Sequence, residues 1–569
     1  MTLAQFFRAL CALTSVLLFA TAARADVTAA SGVNIHFTHP RAGEMEMLQA
    51  AGFKHIRMDF TWAHTEKEKG RYDFSAYEHL TRQLEAHGMT PYYILDYANP
   101  HYESHRSIRT QAGRDAFTAW ALAVVGKFQG RGIRWEIWNE PNGSGFWQPR
   151  ADVREYTALA LQVSRALKEK FPAEDLCGPA TAHIDMTFLA HCFEAGLLEY
   201  WDAVSVHPYR QDGPESAGPE ITRLRQLIAR HAPAGKTIEV LSGEWGYSSA
   251  WFQHDAKSQG RLLARQWLVN AARRLPVSIW YDWHDDGPDP QEAEHNFGTV
   301  RHPYRADQKP VYEAKPAYHA ARTFNQILAG HHYSKRLSLG HSDHYALLFQ
   351  KGEESVLALW TTRHQPAAIS LPATSAPTRQ LSHLGRELPL PALENDTLAL
   401  TLSDDPIYLT FPAGAQAFQE LPAALDIHLS LAPAQHGKIL ATLENFSDAR
   451  FEATLQLESR GGLALSATSQ KITLPAPGET STIAFPLSSD PASAYTISAR
   501  LDHGGHTHAS AHPRRYAPPL HAPATPLRLH SEGDADTAAE FHLAAGADTA
   551  GLPAGALPAW ELDYRFEAG

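Results

Sequence analysis

The chain has 569 residues, more than one ordinary domain needs, with 44% hydrophobic, 20% charged and 10% aromatic residues, enough apolar content for a sizeable core. Its formal charge of -12 comes without a long basic block, which argues against nucleic acid and anionic membrane surfaces as partners and leaves uncharged substrates open.

The first predicted element is an export signal over residues 1–25. Arg8 gives a positive start, Cys11–Ala22 is an apolar run of about a dozen residues, and Ala23-Arg24-Ala25 fits a small-x-small cleavage site. Cleavage leaves a chain starting near Asp26 with a charge of -14, since Arg8 and Arg24 depart, in a secreted or periplasmic location. The run falls short of the about 20 residues a membrane span needs, and Cys11 lies too far from the cleavage site for a lipid anchor. After cleavage Cys177 and Cys192 remain. In an oxidising compartment they could pair, closing a loop of about 15 residues worth roughly 3 kcal/mol; the alternative is two separate buried thiols.

Eight short β-rich runs then alternate with amphipathic helical stretches: Val33–Phe37, His55–Phe60, Pro91–Asp96, Arg134–Asn139, Leu176–Thr181, Ala203–Tyr209, Ile238–Trp245 and Val277–His284. Helical periodicity is clear over Ala76–His87 and Asp152–Glu169, and Gly52 and Gly88 are placed as left-handed helix caps. Eight βα units over residues 26–330 predict an α/β fold, the (β/α)8 TIM barrel. From residue 331 the period changes to two. Strands such as YALLFQ and SVLALWTT predict a β-domain packed on the barrel over 331–415, and an immunoglobulin-like β-sandwich over 416–520. Residues 521–569 read as a tail or the start of a further β-module.

Chemistry in a parallel barrel sits at the carboxyl ends of the strands. Strand four ends there in Asn139 and Glu140, within "RWEIWNEPN", and strand seven in Glu244, within "VLSGEWGY". Two carboxylates facing one cleft are what glycosidic bond cleavage requires, one protonated to release the leaving oxygen and one ionised. Glu136, an even number of residues before Glu140, points the same way but deeper, as a structural residue.

These segments resemble glycoside hydrolases of clan A. "WEIWNEPN" is close to the clan's strand-four signature and "GEWGYS" fits its strand-seven position; "IRMDFTW" and "EKGRYDFSAYEHL" extend the likeness over about residues 32–330, with families 5 and 39 nearest. The resemblance implies Glu140 as general acid/base, Glu244 as nucleophile, retention of configuration and a β-linked polysaccharide or oligosaccharide as substrate. His207 and Tyr209 resemble the clan's His-x-Tyr, with the phenol near the nucleophile. Arg57 is placed to hydrogen-bond Glu244, Asn139 to bind a sugar 2-hydroxyl, and Trp283 to be the platform under the reacting sugar. His36, Asp59, Trp62, Asp96, His284 and Asp285 are further rim candidates, and Trp147, Trp245 and Trp251 are candidates to lengthen the cleft, which favours endo action.

Two other readings compete. A metal-dependent barrel hydrolase usually begins with His-x-His on strand one, but His36 and His39 are three apart, and His284-Asp285-Asp286 is an acidic tip of a common kind; no metal or other cofactor is expected. A non-catalytic carbohydrate-binding or adhesion protein on a glycosidase scaffold would explain the β-domains, yet both glutamates are present.

Overall fold

A computed structural model describes residues 25–516, apart from 252–253, 364, 413–416, 448–451, 462, 476–477, 490–493 and 505. The export signal and the tail beyond 520 lie outside the described residues. The eight β-rich runs form the parallel strands of a closed barrel: β1 (Ser31–Asn34), β2 (His55–Thr61), β3 (Thr90–Asp96), β4 (Arg134–Ile137), β5 (Asp175–Ala182), β6 (Ala203–His207), β7 (Glu239–Trp245) and β8 (Ser278–Trp280). Helices cover one face and the barrel interior the other, so β1, β6 and β8 are buried throughout. Tyr92, Cys177, Ala203, Leu241, Val277 and Ile279 plug the interior.

Four strands end before the apolar pattern predicts, β4 at Ile137 and β6 at His207 by two residues each and β1 and β8 by more. β1 ends at Asn34 rather than Phe37, and β8 at Trp280 rather than His284. Beyond Trp280 the chain crosses between its neighbours, the Tyr281 amide donating to the Trp245 carbonyl and the Trp283 amide to that of Asn34. The alternation of faces breaks at that crossing.

Cys177 and Cys192 are free and buried, so the alternative of separate thiols holds. Cys177 faces the barrel interior, whereas Cys192, on the helix Met186–Glu194, packs between strands and helices. The wall of the barrel keeps them apart.

Residues 332–411 form a five-stranded and a three-stranded antiparallel sheet. Residues 427–516 form two further four-stranded antiparallel sheets that share a core including Leu443, Leu455, Phe485 and Ile497. In Lys438–Asn445 buried residues recur at every second position, as a strand with one face on a core requires. Arg273 pairs with Asp426 and Arg223 with Glu444, and the Trp360 indole donates to Glu215 at 2.7 Å, so both β-regions are tied to the barrel. No helix among the described residues is long and apolar enough to cross a membrane.

Candidate active site

After β4 the backbone does something costly. Trp138 and Glu140 take left-handed φ values of 74° and 45°, as does Ala180 opposite at 57°. Each non-glycine residue held there costs on the order of 1–2 kcal/mol, and Pro141 biases its predecessor toward extended backbone instead. The conformation is held by the Glu140 amide donating to the Ala180 carbonyl at 2.9 Å and the Gly143 amide closing on the Glu140 carbonyl at 2.9 Å. The Glu140 carboxylate is thereby turned into the barrel mouth with 13% of its side chain exposed.

Arg57 of β2, 1% exposed, organises what surrounds it. Its Nε and Nη2 donate to Glu136 Oε1 at 2.9 and 2.6 Å, Nη2 also to Asn139 Oδ1 at 2.8 Å, and Nη1 to Asn34 Oδ1 at 3.2 Å and to Glu244 Oε2. Burial alone would disfavour this cation; the charges of Glu136 and Glu244 outweigh it and raise its pKa further. Burial would likewise raise Glu136, but the charge of Arg57, with hydrogen bonds from Ser205 and Tyr92, holds its carboxyl below the usual range. Glu136 is structural, as its depth predicts.

His207, fully buried, links the two halves. Its Nε2 lies 3.3 Å from Arg57 Nη2 and its Nδ1 2.9 Å from Glu140 Oε1. A guanidinium can only donate, so Nε2 accepts and Nδ1–H donates to Glu140. Tyr209 donates to Glu244 Oε1 at 2.8 Å, and burial together with the Glu244 charge keeps the phenol well above its ordinary pKa, as a donor. Glu140, His207 and Glu244 each bring an oxygen or nitrogen within 4.8 Å of the others. That spacing could hold a metal ion, but the Arg57 guanidinium already bonds two of the three. Gly243 is required beneath this cluster, since a Cβ there would overlap Ser205 Oγ and crowd Glu136.

Of the other candidates, His36 lies at the rim, 3.3 Å from the buried Asp282. Burial lowers the imidazole, but its hydrogen bond to Asp282 and the charges of Asp282, Asp286 and Asp59 raise it to about 9. Burial pushes Asp282 up to about 7, against the pull of His36. Asp59 stands beside the fully buried Asp96, whose carboxyl is raised well above the usual range by burial and then by Asp59.

Trp283 is not the sugar platform. It is 1% exposed, packs against Phe53 and Tyr318, and donates to Glu44 Oε1 at 3.0 Å, because β8 ends before it and the chain turns it outward. Trp147 and Trp245, both fully buried, do not lengthen the cleft either, and Trp62 is buried with its indole on Glu66 at 2.5 Å. Asp285 pairs with the buried Lys315 at 2.6 Å, a structural contact, and His284 stacks on Tyr312. Trp251 remains half-buried at the rim, edge-on to Phe297. The sequence reading missed Asn34, Tyr281 and Asp282. Tyr281 is half-buried, its ring 5.7 Å from His36 and 5.3 Å from Phe297, and burial, followed by the charges of Asp282 and Glu244, raises its hydroxyl well above the ordinary range. Its only signal was the alternation of β8, which Trp283 shares.

Residues 124–238 match the family described as "Glycosyl hydrolases family 39", a segment that contains Glu140, His207 and Tyr209 and stops short of Glu244. No curated protein matches the chain. Among solved structures, a family 39 glycoside hydrolase from the gut symbiont Bacteroides cellulosilyticus WH2 is 25% identical with a TM-score of 0.58, over 68% of this chain and 82% of that one. A monomeric beta-xylosidase from Caulobacter crescentus CB15 is 18% identical with a TM-score of 0.53, over 69% and 97%, which shows the same fold. Barrel, rim carboxylates and the family 39 likeness agree, and the chain is a glycosyl hydrolase built on a (β/α)8 barrel similar to that of family 39.

Proposed function

We propose that the protein is a retaining glycoside hydrolase that cleaves β-linked polysaccharide or oligosaccharide by double displacement. Glu140 gives its proton to the glycosidic oxygen while a Glu244 carboxylate oxygen attacks the anomeric carbon, so the bond to the leaving sugar breaks as a glycosyl ester forms. Glu140 then takes a proton from water, whose oxygen displaces Glu244 and restores both carboxyls. The observation that carries this reading is the proximity of the two glutamates: one carboxylate oxygen of Glu140 lies within 4.8 Å of one of Glu244, a close pair of the kind retaining enzymes use, with carboxyl groups about 5–5.5 Å apart, rather than the about 6.5–9.5 Å that leaves room for the water of an inverting one. The donors support the same roles: Arg57 and Tyr209 converge on Glu244, suiting an anion, whereas Glu140 meets the single N–H of His207. Asn139, held by Arg57, stands ready for a sugar hydroxyl, and Tyr281 takes the platform role assigned to Trp283. Half-buried rings of Tyr97, Phe146, Trp251 and Tyr281 support a cleft longer than one sugar and hence endo action.

The test is product release from β-glucans, mannans, xylans and bacterial exopolysaccharides, with the anomer of the first product followed by NMR. A retained anomer, with loss of cleavage in Glu140→Gln and Glu244→Gln, supports the reading; an inverted first product or full activity in either variant overturns it. We also propose export through the signal at residues 1–25, for which the mature protein should begin near Asp26 on N-terminal sequencing.

A further inference from the structure

Arg106 sits in the loop that follows β3, and its surroundings are built rather than incidental. Its guanidinium carbon lies 3.7 Å from the centroid of the Tyr97 ring and 5.1 Å from that of Phe146. The two rings are 25° from parallel with centroids 6.4 Å apart. Tyr97 is fixed edge-on to Trp138 and hydrogen-bonds the Asn139 side chain; Phe146 belongs to the turn that Glu140 begins. The Arg106 carbonyl accepts from the Ala98 amide at 3.0 Å, and the neighbouring Ser107 hydroxyl bonds the Gln148 carbonyl, which staples this loop to the one carrying Glu140.

What this rigid guanidinium lacks is an anion. Among the described residues no carboxylate forms an ion pair with it, and its polar contact is one 3.5 Å approach to the Gly145 carbonyl. The buried Asp96, which feels its charge, is itself held above the ordinary carboxylate range by burial and by Asp59, so it offers little countercharge. Arg106 is half-buried, its stacking leaving the edge of the fork open. A planar fork of N–H donors, pre-oriented on aromatic faces and unpaired, matches a carboxylate better than a neutral hydroxyl.

We infer that Arg106 is a specificity determinant that binds a carboxylate carried by a sugar close to the scissile bond, either the C6 acid of a hexuronate or a pyruvate ketal. This rests on the glycosidase reading of the adjacent glutamates and adds a substrate class to it, acidic saccharides.

The experiment titrates matched oligosaccharides into Glu244→Gln protein: aldouronic acids from glucuronoxylan, pyruvylated galacto-oligosaccharides, and the carboxyl-reduced twin of each. The same binding is measured with Arg106→Met and Arg106→Lys added, and hydrolysis with wild type alongside. A charge-assisted contact at a half-exposed rim predicts about tenfold tighter binding of an acidic ligand over its twin. Arg106→Met removes that ratio and Arg106→Lys, a point charge without the fork, keeps part of it. Preference confined to one acidic series names the carboxylate's source. Equal affinity for both twins, no binding of either, or a preference that survives in Arg106→Met overturns the inference. Preference without hydrolysis by wild type would leave the inference standing and remove the glycosidase reading instead.

Discussion

One guanidinium touches five side chains here, those of Asn34, Glu136, Asn139, His207 and Glu244, so residues around Arg57 do not act independently. Arg57→Lys keeps the charge but cannot span these partners; we expect a drop in kcat of at least about 10² with binding of product little changed, read from steady-state kinetics and titration. In the proposed mechanism Glu140→Gln and Glu244→Gln each remove a reacting atom while leaving shape intact, so we expect losses of about 10³ or more in rate and melting temperatures close to wild type. A variant that unfolds would mean the glutamate is structural. Asp96 makes a pH prediction. Its carboxyl is raised by burial and by Asp59, so the folded state retains a proton that the unfolded chain releases above about pH 4. Its contribution is therefore most favourable below that pH and is lost as pH rises toward the folded-state value. Asp96→Asn, which mimics the protonated acid, should gain in melting temperature over wild type as pH increases. A difference that is flat or shrinks with pH would contradict it.

At the scale of elements, β4 and β8 show what a sequence can and cannot disclose. The eight-fold alternation was legible because each strand had to be apolar on both faces, and Glu140 and Glu244 were legible because acids at the ends of such strands have no packing role. Arg57 followed from its place inside strand two, and His207 and Tyr209 from their resemblance to the clan's His-x-Tyr. Trp283 was misplaced because the face of a residue is set by where its strand stops, and β8 stops at Trp280 through hydrogen bonds to β7 and to the end of β1 that no local pattern encodes. The left-handed turn at Trp138 and Glu140 was equally hidden, since Pro141 argues locally for extended backbone. Trp283→Ala should behave as a core deletion, costing about 3–5 kcal/mol in denaturant unfolding, whereas Tyr281→Ala should cost activity more than stability. The reverse pattern would restore Trp283 to the cleft.

At the scale of the whole molecule, the β-regions are fastened to the barrel by Arg273 to Asp426, Arg223 to Glu444 and Trp360 to Glu215. Asp426→Ala combined with Glu444→Ala should speed limited proteolysis ahead of Ile427 while leaving the melting of the barrel unchanged; cleavage no faster than in wild type would show that the apolar contacts suffice. A consequence also follows from the chain of hydrogen bonds that runs from Glu244 through Arg57 and His207 to Glu140. Its members come from the seventh, second, sixth and fourth strands in turn, so neither half of the barrel, β1–β4 or β5–β8, owns a working set. On the proposed mechanism, hydrolysis then begins only when the ring has closed and both halves have met. Return of activity during refolding is, for this protein, a clock for the last step of assembly rather than for the formation of any one unit.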